Sequence, residues 1–268
     1  MAVSRHVGWQ SNPRVTGLLP VTLDHATKLV QAILPAGKEY VCVMRLHGEA
    51  SDNALAETCE LFEGPIYQRP PLRSSVKREL RVRTIYYLQL QERDGRNVLI
   101  KVGCQAGTYI RKLCHDIGEA LGCGAHMKEL RRTRTGSFKE DETMVTLQDI
   151  TDAMYFWKES HVESYVRKSV QPMEKAAEHL PKIIVRDSAV DALCHGAQLA
   201  APGVLKVNTG ILPKSLTGIY TLKGEIIALG RAQLDTDSIM KVEKGIVAAI
   251  ERVVMEPGIY PKHEKQSM

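Results

Sequence analysis

The sequence predicts an α+β fold: a larger N-terminal domain on a mixed, mostly antiparallel sheet, followed by a small β-barrel. Three observations carry this reading. Strand-like and helix-like segments are interleaved without the strict β-α-β rhythm of a parallel sheet. Two alternating segments, residues 86–90 and 98–102, flank Asp94-Gly95, which is the signature of a hairpin. From Lys182 onward, short strand-like runs follow one another with turn residues between them, as in a barrel of roughly 80 residues.

Along the chain, residues 1–12 have no clear period and read as an entry segment or a damaged start. Thr16-Gly17 is a turn signal between Pro13 and Pro20. Leu23, Ala26, Leu29, Val30 and Ile33 share one helical face, and Pro35 and Gly37 end that helix. Residues 40–46 are rich in strand formers, and 54–62 read as a helix entered through Ser51-Asp52-Asn53. Ile110, Leu113, Cys114, Ile117 and Leu121 recur at helical spacing, with Gly122 placed as a C-cap glycine. Thr108 is the expected cap at the start of this helix, which puts Tyr109 and Arg111 in its first turn. A last helix-like stretch, 164–179, stops at Pro181, where the pattern changes. The expected domains are therefore 1–178 and 179–262.

Composition narrows the function classes. The 268 residues are 44% hydrophobic and 25% charged, the balance of an ordinary globular protein. Only 5% are aromatic, which argues against an aromatic stacking platform for nucleic acid. Lys plus Arg exceed Asp plus Glu by 36 to 31, a surplus that favours a polyanionic partner only where it is concentrated on one face. Six cysteines occur without a C-x-x-C pair, so zinc and redox motifs lack support, and reduced, partly buried thiols are expected. No run is apolar enough to span a membrane and no signal-peptide core is present, so a cytoplasmic protein without membrane contact is expected.

The strongest local signal is residues 67–83, where six of seventeen residues are Lys or Arg and only Glu79 opposes them. Pro70-Pro71 keeps this stretch extended and out of a central strand. Such a loop lies naturally along phosphates and gains affinity from counterion release. The bland alternative, a solvated charged loop, is weakened by the sign imbalance. The second signal runs from Val102 through a glycine turn to Tyr109 and Arg111. An arginine at the positive end of a helix does nothing for the helix, so it suits an anion, either a carboxylate or a phosphate. A plain surface arginine is the competing explanation. The third is Asn12-Pro13-Arg14-Val15-Thr16-Gly17, in itself only a turn. Leu130 to Arg134 adds a basic cluster of the kind that often decorates a surface. The histidines show no metal-ligand spacing, and no dinucleotide, Walker or nucleophile-elbow motif occurs. Gly122-Cys123-Gly124 fits a helix end better than a phosphate loop.

Taken in order, these segments resemble the TruB-type pseudouridine synthases, in the archaeal and eukaryotic dyskerin-like branch that serves as catalytic subunit of H/ACA ribonucleoproteins. The resemblance rests on QSNPRVTGLLPV at 10–21, Lys38-Glu39-Tyr40, Gln68 to Pro71, Ala106 to Gly118, and Val254 to Pro261. It implies a pseudouridine synthase catalytic domain over 1–178 and a PUA RNA-binding domain over 179–262. It also implies isomerisation of uridine to pseudouridine in rRNA or tRNA, without metal or organic cofactor. The expected partners are substrate RNA, an H/ACA guide RNA and small ribonucleoprotein proteins. The base must leave its stack and enter a shaped pocket. In this family pattern Tyr40 stacks on that base, Arg111 pairs with the catalytic aspartate, and Tyr109 and Leu130 complete the wall. Gln68, Arg69, Arg73 and Lys77 of the loop, with Arg131 and Arg132, are the expected RNA contacts.

One departure bears on chemistry. The nucleophilic aspartate of the pattern falls on Asn12, and a neutral amide cannot replace a carboxylate that attacks the ribosyl group or removes a proton. Residues 1–11 also fail to match, and the basic motif ahead of this point is absent, so a truncated, frame-disrupted, engineered or decayed start is expected. Asp24 offers no substitute. Three readings follow: a guided pseudouridine synthase of doubtful turnover, a catalytically inactive RNA-binding scaffold, and an enzyme acting alone on the T-loop of tRNA.

Overall fold

The computed structural model describes residues 15–70 and 77–261, which form two compact units. In chain order the first elements are β1 (Val15–Gly17), α1 (Val30–Ile33), β2 (Lys38–Leu46), α2 (Asp52–Leu61), β3 (Gly64–Gln68), β4 (Arg81–Asp94), β5 (Asn97–Cys104), α3 (Ile110–Ala120), β6 (Ala125–Thr135) and β7 (Phe138–Lys139). The seven strands make one sheet in the order β1-β6-β2-β5-β4-β3, with β7 beside β6. Only the β1–β6 pair is parallel.

Local chemistry accounts for most of these elements. The β4–β5 hairpin closes through Gly95, whose φ of 55° suits a tight hairpin turn, with Asp94 opposite Asn97. It is longer than the alternating core of the sequence suggests, because β3 pairs with Arg81 to Ile85 and carries β4 beyond its apolar stretch. Pro65 lies in β3, an edge strand, where a missing N–H costs nothing in the ladder. Ser51 caps α2 by accepting from the Ala54 amide at 3.2 Å.

On α3, Ile110, Leu113, Cys114 and Ile117 are buried at helical spacing. They share a core with Cys42, Met44 and Leu46 of β2, Ile100 and Val102 of β5, and Leu55 and Cys59 of α2. Five of the six cysteines are buried as free thiols, filling space as small apolar groups. Thr108 does not cap α3. Its hydroxyl donates to the Gln105 carbonyl at 2.7 Å inside the preceding turn, and Tyr109 is the N-cap residue without a side-chain cap. The first unit ends in α4 (Leu147–Ser160), started by a Thr146/Asp149 capping box, and α5 (Ser164–Ser169). The stretch expected as one helix over 164–179 is broken at Pro172 and continues only as a 3-10 turn, Met173–Ala177.

The second unit comprises residues 21–34 and 170–261. Its strands β8 (Lys182–Val185), β9 (Leu199–Ala200), β10 (Val204–Val207), β11 (Leu216–Tyr220), β12 (Ile226–Ala232) and β13 (Ile246–Val253) run in the order β10-β8-β11-β12-β13-β9. Helices α6 (Asp187–Cys194) and α7 (Thr236–Lys241) add Val190, Leu193 and Ile239 to its core. Leu199 from one edge strand and Val204 and Val207 from the other reach that same core, so the sheet is nearly barrel-shaped. The expected helix over 23–33 is a 3-10 turn, Asp24–Leu29, running into α1. It is tied to this unit by Lys28 Nζ donating to the Val254 carbonyl (3.3 Å) and by His179 Nε2 lying 3.0 Å from the Ala32 carbonyl. Both units bear out the α+β expectation. Among the described residues no helix is long and apolar enough to cross a membrane.

Gly118 is where α3 and β6 touch. A Cβ there would fall inside the contact distance of the Ala125 amide nitrogen, which is backbone and cannot rotate away. Helix propensity alone would favour Gly118→Ala by about 1 kcal/mol. Overpacking of this kind costs about 1–3 kcal/mol and more against rigid backbone. The expected outcome is a net loss of stability, read as a lower urea midpoint at unchanged slope.

Candidate active site

Three sequence segments meet on β6. Val15 of β1 sits beside Leu130, and Gly17 beside Arg132. On the other flank Leu130 faces Cys42, and Arg132 faces Tyr40 of β2, which in turn faces Val102 of β5. Gly17, Arg132, Tyr40 and Val102 therefore form one row across four strands.

The glycine in Val15-Thr16-Gly17 has a steric cause. Its φ is 91°, and a Cβ would collide with the backbone carbonyl of Arg132. With that approach allowed, the Leu18 amide donates to the Arg132 carbonyl at 2.8 Å. The Arg132 side chain returns the contact, Nε donating to the Leu18 carbonyl at 2.7 Å and a terminal nitrogen donating to the same oxygen. Arg132 is only 3% exposed. The expected RNA contact is thus a buried guanidinium that fastens the first motif to the sheet. The neighbouring Arg131 is exposed, yet it is engaged by Glu140 through paired hydrogen bonds at 2.9 and 3.0 Å.

The electrostatics around Arg132 follow from burial. The Tyr40 phenol is half-buried, and desolvation pushes it up to about 12, so it stays neutral in the working range. Lys38, two residues earlier and on the same face, donates to the Ala36 carbonyl at 2.7 Å. Its ammonium is pulled down to about 8, first by burial and then by the Arg132 charge. Burial likewise raises the Cys104 thiol, opposite Lys38, to about 11, which makes it inert as a nucleophile.

From Cys104 the chain passes through Gly107, with φ 81° and the Arg83 guanidinium packed over it, to Tyr109 at the start of α3. Gln68 holds this point. Its Oε1 accepts from the Tyr109 amide at 2.9 Å, and its Nε2 donates to the Tyr109 carbonyl at 3.2 Å. Only 1% exposed, Gln68 lies inside the fold rather than on its surface, and it joins the root of the basic loop to the start of α3. Arg111, two residues on, is exposed and has no carboxylate within ion-pair distance among the described residues. Arg69 and Lys77 are exposed at the two ends of the loop. Asn12 and Arg73 lie outside the described residues.

The structure thus groups Tyr40, Leu130 and Arg132 by strand register, and links Gln68 to Tyr109 by hydrogen bonds. Lys38, although within the Lys38-Glu39-Tyr40 match, and Glu140 were not expected as site residues. Lys38 is signalled only by its place two residues before Tyr40, and Glu140 by nothing local, since the β6–β7 hairpin alone brings it to Arg131.

Three stretches of the chain match family models: residues 6–110 the TruB family pseudouridylate synthase N-terminal domain, 111–178 the tRNA pseudouridylate synthase B C-terminal domain, and 181–254 the PUA domain. A probable tRNA pseudouridine synthase B of Methanopyrus kandleri is 58% identical over 95% of this chain and 75% of the relative. The protein of that name from Pyrococcus horikoshii is 56% identical over 95% of this chain and 76% of the relative. Among solved structures, a Cbf5-Nop10-Gar1 complex matches at 55% identity with a TM-score of 0.90, covering 93% of this chain and 76% of that one. An H/ACA ribonucleoprotein bound to a substrate RNA containing 2'-deoxyuridine matches at 52% identity and a TM-score of 0.86, with coverage of 93% and 76%. The chain belongs to the TruB family of pseudouridine synthases and carries a PUA domain.

Proposed function

We propose that this chain handles uridines of tRNA or rRNA for conversion to pseudouridine, as the catalytic-type subunit of a guide-RNA particle with small partner proteins. The observation that carries the reading is the convergence of Val15-Thr16-Gly17, Tyr40 and Leu130 on one patch of the sheet, beside an arginine-bearing helix start. The matched structures, an assembly with Nop10 and Gar1 and a ribonucleoprotein with substrate RNA, support the guided form over an enzyme working alone.

In this reading the isomerisation breaks the bond from ribose to N1 of uracil and forms one to C5, with no net change in atoms and no cofactor. Tyr40 stacks on the extruded base, its neutral phenol held by a dry wall. Leu130 and Tyr109 close the pocket, and Gln68 is a positioning residue for Tyr109. Arg111 awaits a carboxylate, which it would hold ionised and oriented. Arg69 and Lys77, with Arg73 between them, take phosphates, while Arg131 and Arg132 act within the protein. Residues 179–262 grip RNA by shape and backbone.

Asn12 favours a second reading, a scaffold that binds RNA without turning it over, because an amide offers no attacking oxygen of carboxylate strength. Tritium release from RNA carrying 5-tritiated uridine, with guide RNA and partner proteins present, separates the two. The chain as it stands should release little or none, and Asn12→Asp should restore release. Continued silence of Asn12→Asp, with RNA still bound, would leave the scaffold reading.

The loop cations give an independent check. Arg69→Ala and Lys77→Ala should each weaken RNA binding uniformly across sequences and reduce the slope of log affinity against log salt by about 1. An unchanged slope would remove the loop from the interface. Lys38 gives a pH signature with a defined sign. Between about 8 and 10.5 the unfolded chain holds a proton that the folded chain has released. Stability should therefore rise with pH across that window, and Lys38→Met should flatten the rise in denaturation measured at several pH values.

A further inference from the structure

We infer that His47 and His126 together form a binding site for a divalent late first-row transition ion of the zinc and copper class, at the end of the sheet away from Tyr40. His126 is the second residue of β6, and His47 is the residue that follows the end of β2, at one end of the β2–β6 ladder. Arg45 pairs with His126, Leu46 with Ala125, and the His47 amide donates to the Gly124 carbonyl at 2.9 Å. Their side chains meet edge to edge, with His47 Nε2 and His126 Nδ1 2.8 Å apart, ring centroids 5.1 Å apart and ring planes inclined at 36°.

Both imidazoles are exposed, and among the described residues neither pairs with a carboxylate or a backbone carbonyl. Elsewhere in the chain His25, His115 and His195 each lie beside a carboxylate and His179 beside a carbonyl, the ordinary surroundings of a structural histidine. The close approach is also built into the backbone. Gly124 has φ 72°, and a Cβ there would lie 2.8 Å from Nδ1 of His47, so the turn leaves the ring its place.

Two facing imidazoles use their nitrogens incompletely. In the apposed pair one nitrogen must donate and the other accept, so one lone pair is idle. A cation between them engages both lone pairs. Metal–nitrogen bonds of about 2.0–2.1 Å put the two nitrogens about 2.9 Å apart at a square-planar copper and about 3.4 Å apart at a tetrahedral zinc, an opening of at most about half an ångström. Imidazole nitrogen suits zinc, copper and nickel and does not suit magnesium. No group of three or more His, Cys, Asp or Glu side chains able to hold a metal occurs among the described residues, so water completes the shell. The site is consequently open and exchangeable. Tyr40 lies seven residues back from His47, about 23 Å away at about 3.3 Å per residue, so the site is separate from the proposed pocket and does not depend on it.

Calorimetric titration of the full chain with Cu²⁺, Zn²⁺ and Mg²⁺, joined to electron paramagnetic resonance of the Cu²⁺ form, tests this. One equivalent should bind, copper more tightly than zinc and magnesium not at all, with hyperfine coupling from two imidazole nitrogens. His47→Ala and His126→Ala should each weaken binding at least tenfold, and His115→Ala should leave it unchanged. Affinity should fall as the pH is lowered and the imidazoles protonate. Failure of the unaltered chain to bind copper or zinc would overturn the proposal. So would retention of the same affinity in both His47→Ala and His126→Ala, whose folds are checked by circular dichroism.

Discussion

The buried guanidinium of Arg132 is the contact on which the candidate site rests. An arginine removed from water is costly unless its hydrogen bonds are met inside the protein. Here the Leu18 carbonyl accepts from Nε and from one terminal nitrogen, and the Leu18 amide bonds back to the Arg132 carbonyl. A short parallel strand of three residues could not hold itself to a sheet edge by ladder bonds alone. The guanidinium fastens it, and Gly17 provides the close approach the fastening needs. A lysine at 132 would not serve equally, because a single point charge cannot present the planar fork that engages one carbonyl twice. The same cation shapes its surroundings: it helps lower the Lys38 ammonium and opposes the effect of burial on the Tyr40 phenol.

A second polar clamp works at the other side of the site. Helix starts usually satisfy their first amides with a nearby Ser, Thr, Asp or Asn. α3 instead has its N-cap residue held through both backbone groups by the Gln68 carboxamide, forty-one residues away in sequence. Gln68 ends β3 and the basic loop begins at the next residue. Displacement of the loop root is therefore transmitted to Tyr109 by two hydrogen bonds rather than through a flexible chain. The basic residues consequently divide into two sets. Arg131 and Arg132 are committed to Glu140 and Leu18, while Arg69 and Lys77 are turned to solvent. The modest surplus of charge is thus concentrated at the loop more than a count along the chain suggests.

Much of the architecture is legible in the residues alone. α3 announces itself because one face of a helix recurs at fixed spacing, and the β4–β5 hairpin because Asp94-Gly95 suits few other conformations. The order of short strands after Lys182 carried the small barrel. β6 was hidden. Two register shifts leave Lys128 and Thr133 without a partner on β2, which spoils the two-residue alternation, and its arginines resemble a surface cluster. α4 was hidden as well, since Ala153 is its only buried residue and it shows little apolar periodicity.

Elements whose cause is local can be read from the residues alone: periodic faces, turns that need glycine or proline, the motif order that marks the family, and an asparagine at position 12. Which polar groups face which follows from the packed fold. Arg132 reads as a surface cation until β1 and β2 close over it, and Gln68 reads as a loop residue until α3 arrives beside it. Thr108 loses the cap it is suited for because the turn before it claims its hydroxyl. The reason is physical: backbone propensity acts within a few residues, whereas burial and hydrogen-bond satisfaction are settled between segments that meet only when the core has formed.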